Sequence, residues 1–114
     1  MEKMVEMKLQ AECVQWFWNT FPAERGCLFH VEQSAVNAIQ GARNRSIGVV
    51  SGVSDLILVL RGRVVFIELK TTFGNSKQSR SQIVFQDLVQ MRGHEYYVIR
   101  TLQEFQILIY RLLV

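Results

Sequence analysis

Residues 55–70 read DLILVLRGRVVFIELK, and this stretch decides what fold to expect. Two short apolar runs, 55–60 and 64–69, are separated by an arginine-glycine-arginine step. Apolar runs rich in β-branched residues, joined by a short segment that contains glycine, are typical of a β-hairpin. The sequence therefore predicts two antiparallel strands here, as the centre of a small sheet.

The length of the turn fixes which residues of the hairpin face each other. If Arg61 and Gly62 form a two-residue turn, Leu60 pairs with Arg63, and the same register places Asp55 directly opposite Glu68. Their Cβ atoms would then lie about 5 Å apart on one face of the sheet. A three-residue bulged loop would shift this register, so the two-residue turn is the hypothesis on which the site depends.

Two opposed carboxylates and a lysine form a candidate catalytic group. Lys70 follows Glu68 by two residues, so its side chain projects from the same face. Like charges opposite each other are unfavourable in a sheet, and a divalent cation would relieve the repulsion; carboxylate oxygens suit Mg²⁺ or Mn²⁺. The lysine would then pair with a carboxylate, orient a water or stabilise charge on a phosphate. The spacing alone equally allows an acid pair splayed into solvent and balanced by Lys70.

Two further polar residues lie at the margins of predicted helices. Glu12 comes three residues after Leu9 and four before Trp16, at the edge of an apolar stripe. It is either a third acidic group turned towards the site or a glutamate that reaches water. Gln82 lies three residues before Phe85 on another helix edge, where it either holds a water or a phosphate or is an ordinary surface glutamine.

The rest of the chain predicts further helices and strands around the hairpin. Pro22 ends the first helix, Gly93 closes the helix after the hairpin, and Thr101 with Glu104 matches a capping box for the last helix. The predicted elements are a helix over 3–20, an extended stretch over 27–31, a weak helix over 32–43, a strand running into a turn over 47–54, the hairpin, a loop over 71–76, a helix over 77–92, a strand over 96–99 and a helix from 101 onwards.

Composition limits the class of protein. The chain has 114 residues, 49% of them hydrophobic, with a net charge of +3 and two cysteines. This fits one domain, 1–114, and excludes a disulfide framework and a spanning helix. Residues 41–92 contain eight basic and three acidic residues, which indicates either a polyanion site or a solvated basic surface. The basic residues expected to hold a nucleic-acid backbone are Arg43, Arg45, Arg61, Arg63, Lys77 and Arg80.

A longer pattern connects the hairpin to its neighbours. Gly52-Val-Ser-Asp55 is followed by Glu68-Leu-Lys70, whose Glu68 comes 13 positions after Asp55, then by Lys77-Gln-Ser79 and Gln82-x-x-Phe85. Together these resemble the virus-type replication-repair nuclease (VRR-NUC) family of the PD-(D/E)xK superfamily, over residues of about 9–100. Ser54 stands where the family often has proline. The Asn-Glu pair that many members carry is absent near 30–33, which leaves the role of residues 30–34 open.

The resemblance implies a role for each matching residue. Asp55 and Glu68 correspond to metal-binding acids, with the Leu69 carbonyl as a further ligand and Glu12 as the helix glutamate that completes the site. Lys70 corresponds to the catalytic lysine and Gln82 to the helix glutamine beside it.

The resemblance also implies a fold and an activity. The fold is α/β with a restriction-endonuclease-like core, a mixed sheet of about four strands in αβββαβ order. The activity is Mg²⁺- or Mn²⁺-dependent cleavage of DNA by a cytoplasmic homodimer of the standalone phage or bacterial type, which acts at branched DNA such as Holliday junctions and has no membrane partner. The alternatives are a nuclease of the same fold acting on flap, single-stranded or RNA ends, a catalytically inactive DNA-binding module, and a basic interaction domain in which the acids and the lysine form a surface salt bridge.

Overall fold

The computed structural model describes residues 2–32, 35–71 and 77–114. Most of the loop predicted at 71–76, and residues 33 and 34 of the segment whose role was open, lie outside these ranges. The elements in chain order are α1 (Glu2–Thr20), a 3-10 helix (Pro22–Cys27), β1 (Leu28–His30), α2 (Ala38–Ser46), β2 (Leu56–Leu60), β3 (Arg63–Leu69), α3 (Arg80–Met91), β4 (Glu95–Ile99) and α4 (Leu102–Leu113).

The four strands form one mixed sheet in the order β1-β2-β3-β4. β1, β2 and β3 pair antiparallel, whereas β4 joins β3 in parallel. A parallel neighbour needs a crossover connection, and α3 supplies it. The predicted α/β architecture, with a small mixed sheet flanked by helices, is confirmed.

The β2–β3 hairpin has the predicted register. Leu60 pairs with Arg63, and the ladder continues without a bulge to the pair of Leu56 with Ile67. Gly62 has a φ of 78°, whereas Arg61 is not in the left-handed region. The turn needs a left-handed backbone at its second position, and glycine adopts it without steric cost.

Helices cover both faces of the sheet. The helices α1 and α4 cover one face, where Phe17, Leu58, Ile67 and Phe105 lie in a single buried cluster. On the other face α3 packs through Phe85, whose ring lies edge-to-face with that of Phe66, with the two centroids 5.1 Å apart. Because α3 lies over this face, the polar side chains of β3 that point the same way are also covered.

Between β1 and β2 the structure differs from the prediction at two places. The second helix begins at Ala38 rather than at residue 32, because Asn37 caps it by accepting a hydrogen bond from the backbone N–H of Gln40. The strand predicted within 47–54 is wrong. There the chain turns, Gly48 and Gly52 have φ values of 98° and 88°, and the Val49 N–H bonds to Asn44 of α2 rather than to a strand.

The last two helices begin at side-chain caps. Ser79 and Gln82 form a capping box, which starts α3 at Arg80 and not at Lys77. Thr101 caps α4 by accepting from the Glu104 N–H, as predicted, whereas the Glu104 carboxylate reaches one residue further back, to the Arg100 N–H. Among the helices described, none combines the length and apolar composition that crossing a bilayer requires.

Candidate active site

Asp55 lies at the open end of the hairpin, one residue before β2. Its Oδ2 accepts a hydrogen bond of 2.7 Å from the backbone N–H of Leu69 on β3. Its own carbonyl accepts from Nδ1 of His30, 2.6 Å away on the edge strand β1. Both neighbouring strands therefore hold Asp55 in place, one through its side chain and one through its backbone.

Glu68 is the most buried ionisable group of the site, with 2% of its surface exposed. Its Oε2 accepts a hydrogen bond of 2.8 Å from Nε2 of Gln82 and lies 3.9 Å from Nζ of Lys70. Its Oε1 is buried without a hydrogen-bond donor in the described part of the chain. A buried carboxylate oxygen without a donor is costly, so this atom calls for a proton or a cation.

The electrostatics of Glu68 agree with that geometry. The pKa of Glu68 is raised from 4.5 to about 8, first by burial and then by the charge of Asp55 and a hydrogen bond with it. The Lys70 ammonium lowers it and the Glu6 carboxylate raises it. Without a cation, Glu68 is therefore largely protonated at neutral pH, and a divalent cation would displace that proton.

The first turn of α3 is pressed against the site. Gly52, in the loop before Asp55, has a φ of 88°, and a Cβ there would lie 2.3 Å from the Ser81 carbonyl oxygen. Gln82 uses both ends of its amide, since its Oε1 accepts from the Ser79 N–H while its Nε2 donates to Glu68. The start of the helix and the buried acid are thus connected through one side chain.

A phenol lies behind the acids. Burial and the negative charge of Glu68 raise the pKa of Tyr96 to about 12, so the hydroxyl stays protonated. The Tyr96 oxygen accepts a hydrogen bond of 3.2 Å from Gln78, which also donates to Gln86 of α3. This polar network fixes the residues just before α3 against the sheet.

A cleft of about 690 Å³ opens over Asp55. Its walls come from α1 (Glu6, Met7, Gln10), β1 and the residues after it (His30, Glu32), the loop before β2 (Gly52, Val53), Asp55 itself, and the start of α3 (Ser79, Ser81, Gln82). Glu12 is exposed on α1 and is not among these residues. The helix glutamate at the cleft is therefore Glu6.

Sequence reasoning missed Glu6, although the sequence contains a signal for it. On a helical wheel Glu6 falls within the arc of Leu9, Cys13 and Phe17, whereas Glu12 falls outside it. Glu6 continues the line of this buried stripe about one turn before Leu9, so its side chain points towards the end of the core. His30 was missed as well, because nothing in the sequence shows that β1 lies beside Asp55.

The donor set partly fits a hard divalent cation. Across the described residues, no group of three or more His, Cys, Asp or Glu side chains is arranged to hold a metal. Asp55 and Glu68 supply two carboxylates, one with an oxygen that lacks a donor. Mg²⁺ commonly binds through one or two carboxylates and completes its shell with waters and substrate phosphates, so this pair is sufficient for that mode.

The predicted DNA-contacting residues divide into three places. Lys77 and Arg80 are exposed around the start of α3, on either side of Ser79 in the cleft wall, and Arg43 and Arg45 are exposed on α2. Arg61 and Arg63 lie at the turn, about 17 Å along the hairpin from the acids. Arg63 is already engaged in an ion pair with Glu95 of β4.

A comparison with solved structures returns a chain named "VRR_NUC domain protein". The two chains superpose with a TM-score of 0.80 over 95% of this chain and 87% of that one, at 18% sequence identity. The fold is that of a VRR_NUC domain protein. No family model matches the sequence, and no curated protein matches it. The likeness therefore rests on the arrangement of the chain in space.

Proposed function

We propose that this chain is a metal-dependent DNA endonuclease of the VRR-NUC family that hydrolyses phosphodiester bonds at branched DNA such as a Holliday junction. The observation that carries the proposal is the buried Glu68, held beside Asp55 and Lys70 in a nuclease-type fold, with a carboxylate oxygen that has no donor. A sheet built only for stability gains nothing from two adjoining acids, since each opposes the ionisation of the other.

Asp55 and Glu68 would hold Mg²⁺ or Mn²⁺, with the Leu69 carbonyl as a further ligand. When bound, the cation supplies Lewis-acid stabilisation of the phosphate and of the leaving oxygen. The Lys70 ammonium lies 3.9 Å from Glu68 and is mostly buried, so it would act on a bound phosphate with little screening by water. There it holds the attacking water or stabilises the charge that develops on the phosphate.

Gln82 and Glu6 would shape the site from two helices. Gln82 donates to Glu68 and so fixes the carboxylate that faces the cation. Glu6 lines the cleft and acts electrostatically on Glu68, so we assign to Glu6 the role that the family resemblance gave to Glu12. Lys77 and Arg80 would contact phosphates at the rim, which gives affinity with little base readout.

The test is cleavage of labelled DNA in Mg²⁺ with matched binding measurements in Ca²⁺. We expect Glu68→Ala and Lys70→Ala to abolish cutting of a four-way junction, while binding in Ca²⁺ survives. Glu95→Ala removes an acid of the same sheet, at the start of β4 and far from the cleft, and serves as the control. Near wild-type cutting by either site variant would refute the assignment.

A substrate panel decides the finer part of the proposal. Four-way junction, flap, single strand and linear duplex are compared at equal concentration, and the junction is expected to be cut fastest. Faster cutting of the flap or of the single strand would support a nuclease of this fold with a different substrate. A wild-type protein that binds all four and cuts none would support the inactive binding module.

The two glutamates of α1 provide a separate test. Glu6→Gln is expected to lower the cleavage rate and to increase the Mg²⁺ concentration needed for half-maximal cutting. Glu12→Gln, a change of the same chemistry on the same helix, is expected to leave both values near wild type. The reverse result would restore Glu12 as the helix glutamate of the site.

A further inference from the structure

A second depression adjoins the cleft along the first helix. It is an open groove of about 490 Å³ between α1 and the edge strand β1. One wall is the stripe of α1 that runs from Met7 to Trp18, and the other is formed by Phe29 and His30 of β1. Because Met7, Gln10 and His30 also line the cleft of the candidate site, the two spaces are continuous. We call this depression the α1 groove.

The α1 groove leads away from the candidate site towards the end of α1. Met7 and His30 lie at the end shared with the cleft, whereas Trp18 lies about 16 Å further along the helix axis. Nucleotides of a stacked strand are about 3.4 Å apart and those of an unstacked strand are further apart, so this length takes at most about five nucleotides. At the shared end, Nδ1 of His30 donates the 2.6 Å hydrogen bond to the Asp55 carbonyl. A strand in the groove would therefore reach the cleft beside the residue that holds Asp55 in place.

The walls of the α1 groove combine aromatic rings with amides. Phe29 is 41% exposed and Trp18 is half-buried, although phenylalanine is most often found in the interior. Gln10 and Gln15 add hydrogen-bond donors and acceptors to the same walls. Within the described part of the chain no carboxylate lines this groove, whereas Glu6 lines the cleft beyond it. The groove is thus apolar and aromatic, and it lacks the charge that would repel a phosphate backbone.

A cation lies at the far end of the α1 groove. The guanidinium carbon of Arg25 lies over the Trp18 ring, 4.3 Å from its centroid, which is a cation–π contact. Arg25 is exposed, and over the residues that the structure describes it makes no ion pair. Its planar set of N–H donors is therefore positioned beside the groove for an anion such as a phosphate.

We propose that the α1 groove binds a short unpaired strand of the DNA substrate, with nucleobases against Phe29 and Trp18 and a phosphate at Arg25. Aromatic surface for the bases together with a cation for the backbone is the combination by which proteins hold single strands. The amides of the groove meet the polar edges of the bases. This inference rests on the proposed function and adds to it that the chain selects phosphodiester bonds next to unpaired nucleotides, as at the branch of a junction, where a base leaves the stack at least cost.

An extended peptide is the other occupant that an edge strand could take. A peptide added to β1 would pair with a strand of only three residues, Leu28–His30, and would gain few main-chain hydrogen bonds. The opening into the cleft and the cation at the far end favour a nucleic acid instead.

Tryptophan fluorescence tests binding in EDTA, without cleavage. Trp16, the other tryptophan of the chain, lies edge-to-face with Phe21, Phe105 and Tyr110, outside the groove, so Trp16→Phe leaves Trp18 as the reporter. We expect a thymidine pentanucleotide to quench this fluorescence saturably, and a pentamer of the abasic sugar-phosphate chain to quench it much less. Equal quenching by the two, or none by the thymidine pentamer, would overturn the proposal. Saturable quenching by a valine-threonine hexapeptide alone would overturn it too and assign the groove to a protein segment.

Substitutions in the chain with both tryptophans separate base contacts from phosphate contacts. Phe29→Leu should raise the Kd of a labelled thymidine pentanucleotide at least about fivefold, the lower end of base–aromatic stacking, and leave the Kd of the abasic pentamer unchanged. Phe29→Tyr, which keeps a ring, should bind both as the wild type does. Arg25→Met should weaken both pentamers by the same factor. Tyr110→Leu, at an aromatic residue 49% exposed on α4, is the matched control and should change neither Kd. Equal losses for both pentamers in Phe29→Leu would contradict a base contact.

Cleavage in Mg²⁺ distinguishes this proposal from the proposed function. Two four-way junctions are compared that differ only at two unpaired nucleotides beside the branch, which are thymidines in one and abasic in the other. At subsaturating protein the wild type should cut the thymidine junction at least about fivefold faster, and Phe29→Leu should cut both at the same rate. Equal rates in the wild type would overturn the assignment of the groove and leave the nuclease in place. If neither junction is cut while base-dependent binding persists, the nuclease is rejected and the groove stands as a single-strand site.

Discussion

The two ends of the β2–β3 hairpin carry the same kinds of charged residue in opposite surroundings. At the turn, Arg63 pairs with Glu95, and the exposed fraction is 44% for the Arg63 side chain and 27% for that of Glu95. At the open end, Lys70 faces Glu68, and the corresponding values are 12% and 3%. Helix α3 and the loop before β2 cover the open end, whereas water reaches the turn.

This difference shows that burial, more than residue type, separates a site from a surface ion pair. In water the attraction between two charges is small and is offset by the loss of side-chain entropy. Under α3 the same charges interact in a low dielectric, and the pKa of Glu68 rises to about 8. We therefore expect matched substitutions at the two ends of the hairpin to have effects of different size.

The largest difference should be in catalysis. Lys70→Met and Arg63→Met each remove one cation from the hairpin and leave an apolar chain. We expect Lys70→Met to lower the rate of junction cleavage at least about 100-fold, the typical cost of removing a charge-stabilising donor. Arg63→Met should stay within about threefold at moderate salt. Equal losses would mean that both cations act by binding DNA, and single-turnover rates at saturating protein would reveal it.

The next difference should be in stability at two glycines. Gly52 and Gly62 both have positive φ, but a Cβ on Gly52 would meet the Ser81 backbone at 2.3 Å, whereas one on Gly62 meets nothing within 4 Å. Gly62→Ala should cost about 1 kcal/mol from backbone strain alone. Gly52→Ala should cost about 3 kcal/mol or more, because α3 must also move. Urea unfolding measures both, and equal costs would contradict the packing of α3 at Gly52.

A smaller effect concerns pH. Glu68 has a higher pKa in the folded chain than in the unfolded chain, so the metal-free protein should lose stability as pH rises from about 5 to about 8. The loss should exceed about 1.4 kcal/mol, the equivalent of one pKa unit. Glu68→Gln should flatten this dependence, and Glu95→Gln should not. Melting temperatures in EDTA test it, and an unchanged slope in Glu68→Gln would place the titration elsewhere.

The smallest effect belongs to the exposed ion pair. A double-mutant cycle with Arg63→Met and Glu95→Gln should give a coupling energy below about 1 kcal/mol that vanishes in 1 M salt. Coupling of several kcal/mol would show that the turn end is as well shielded as the open end, and the contrast between the two ends would then be lost.

The sequence predicted the hairpin well because a two-residue turn leaves no freedom in its register. The sequence predicted less well those features whose position depends on contacts between residues distant in sequence. The prediction of a strand at 47–54 was wrong because two glycines turn the chain there, Gly48 next to α2 and Gly52 against α3. The cleft glutamate was predicted at Glu12 from the margin of a stripe, but the end of α1 that reaches Asp55 carries Glu6, and only the packing of α1 on the sheet reveals that.

The short turn also has a consequence for how the chain folds. A hairpin closed by two residues forms within microseconds, and it brings Asp55 and Glu68 together while both are still hydrated. The desolvation of these acids is delayed until α1 and α3 dock, which are contacts between residues distant in sequence. Acidic buffer or a divalent cation should therefore accelerate this late docking step and leave the initial collapse of the hairpin at its own rate.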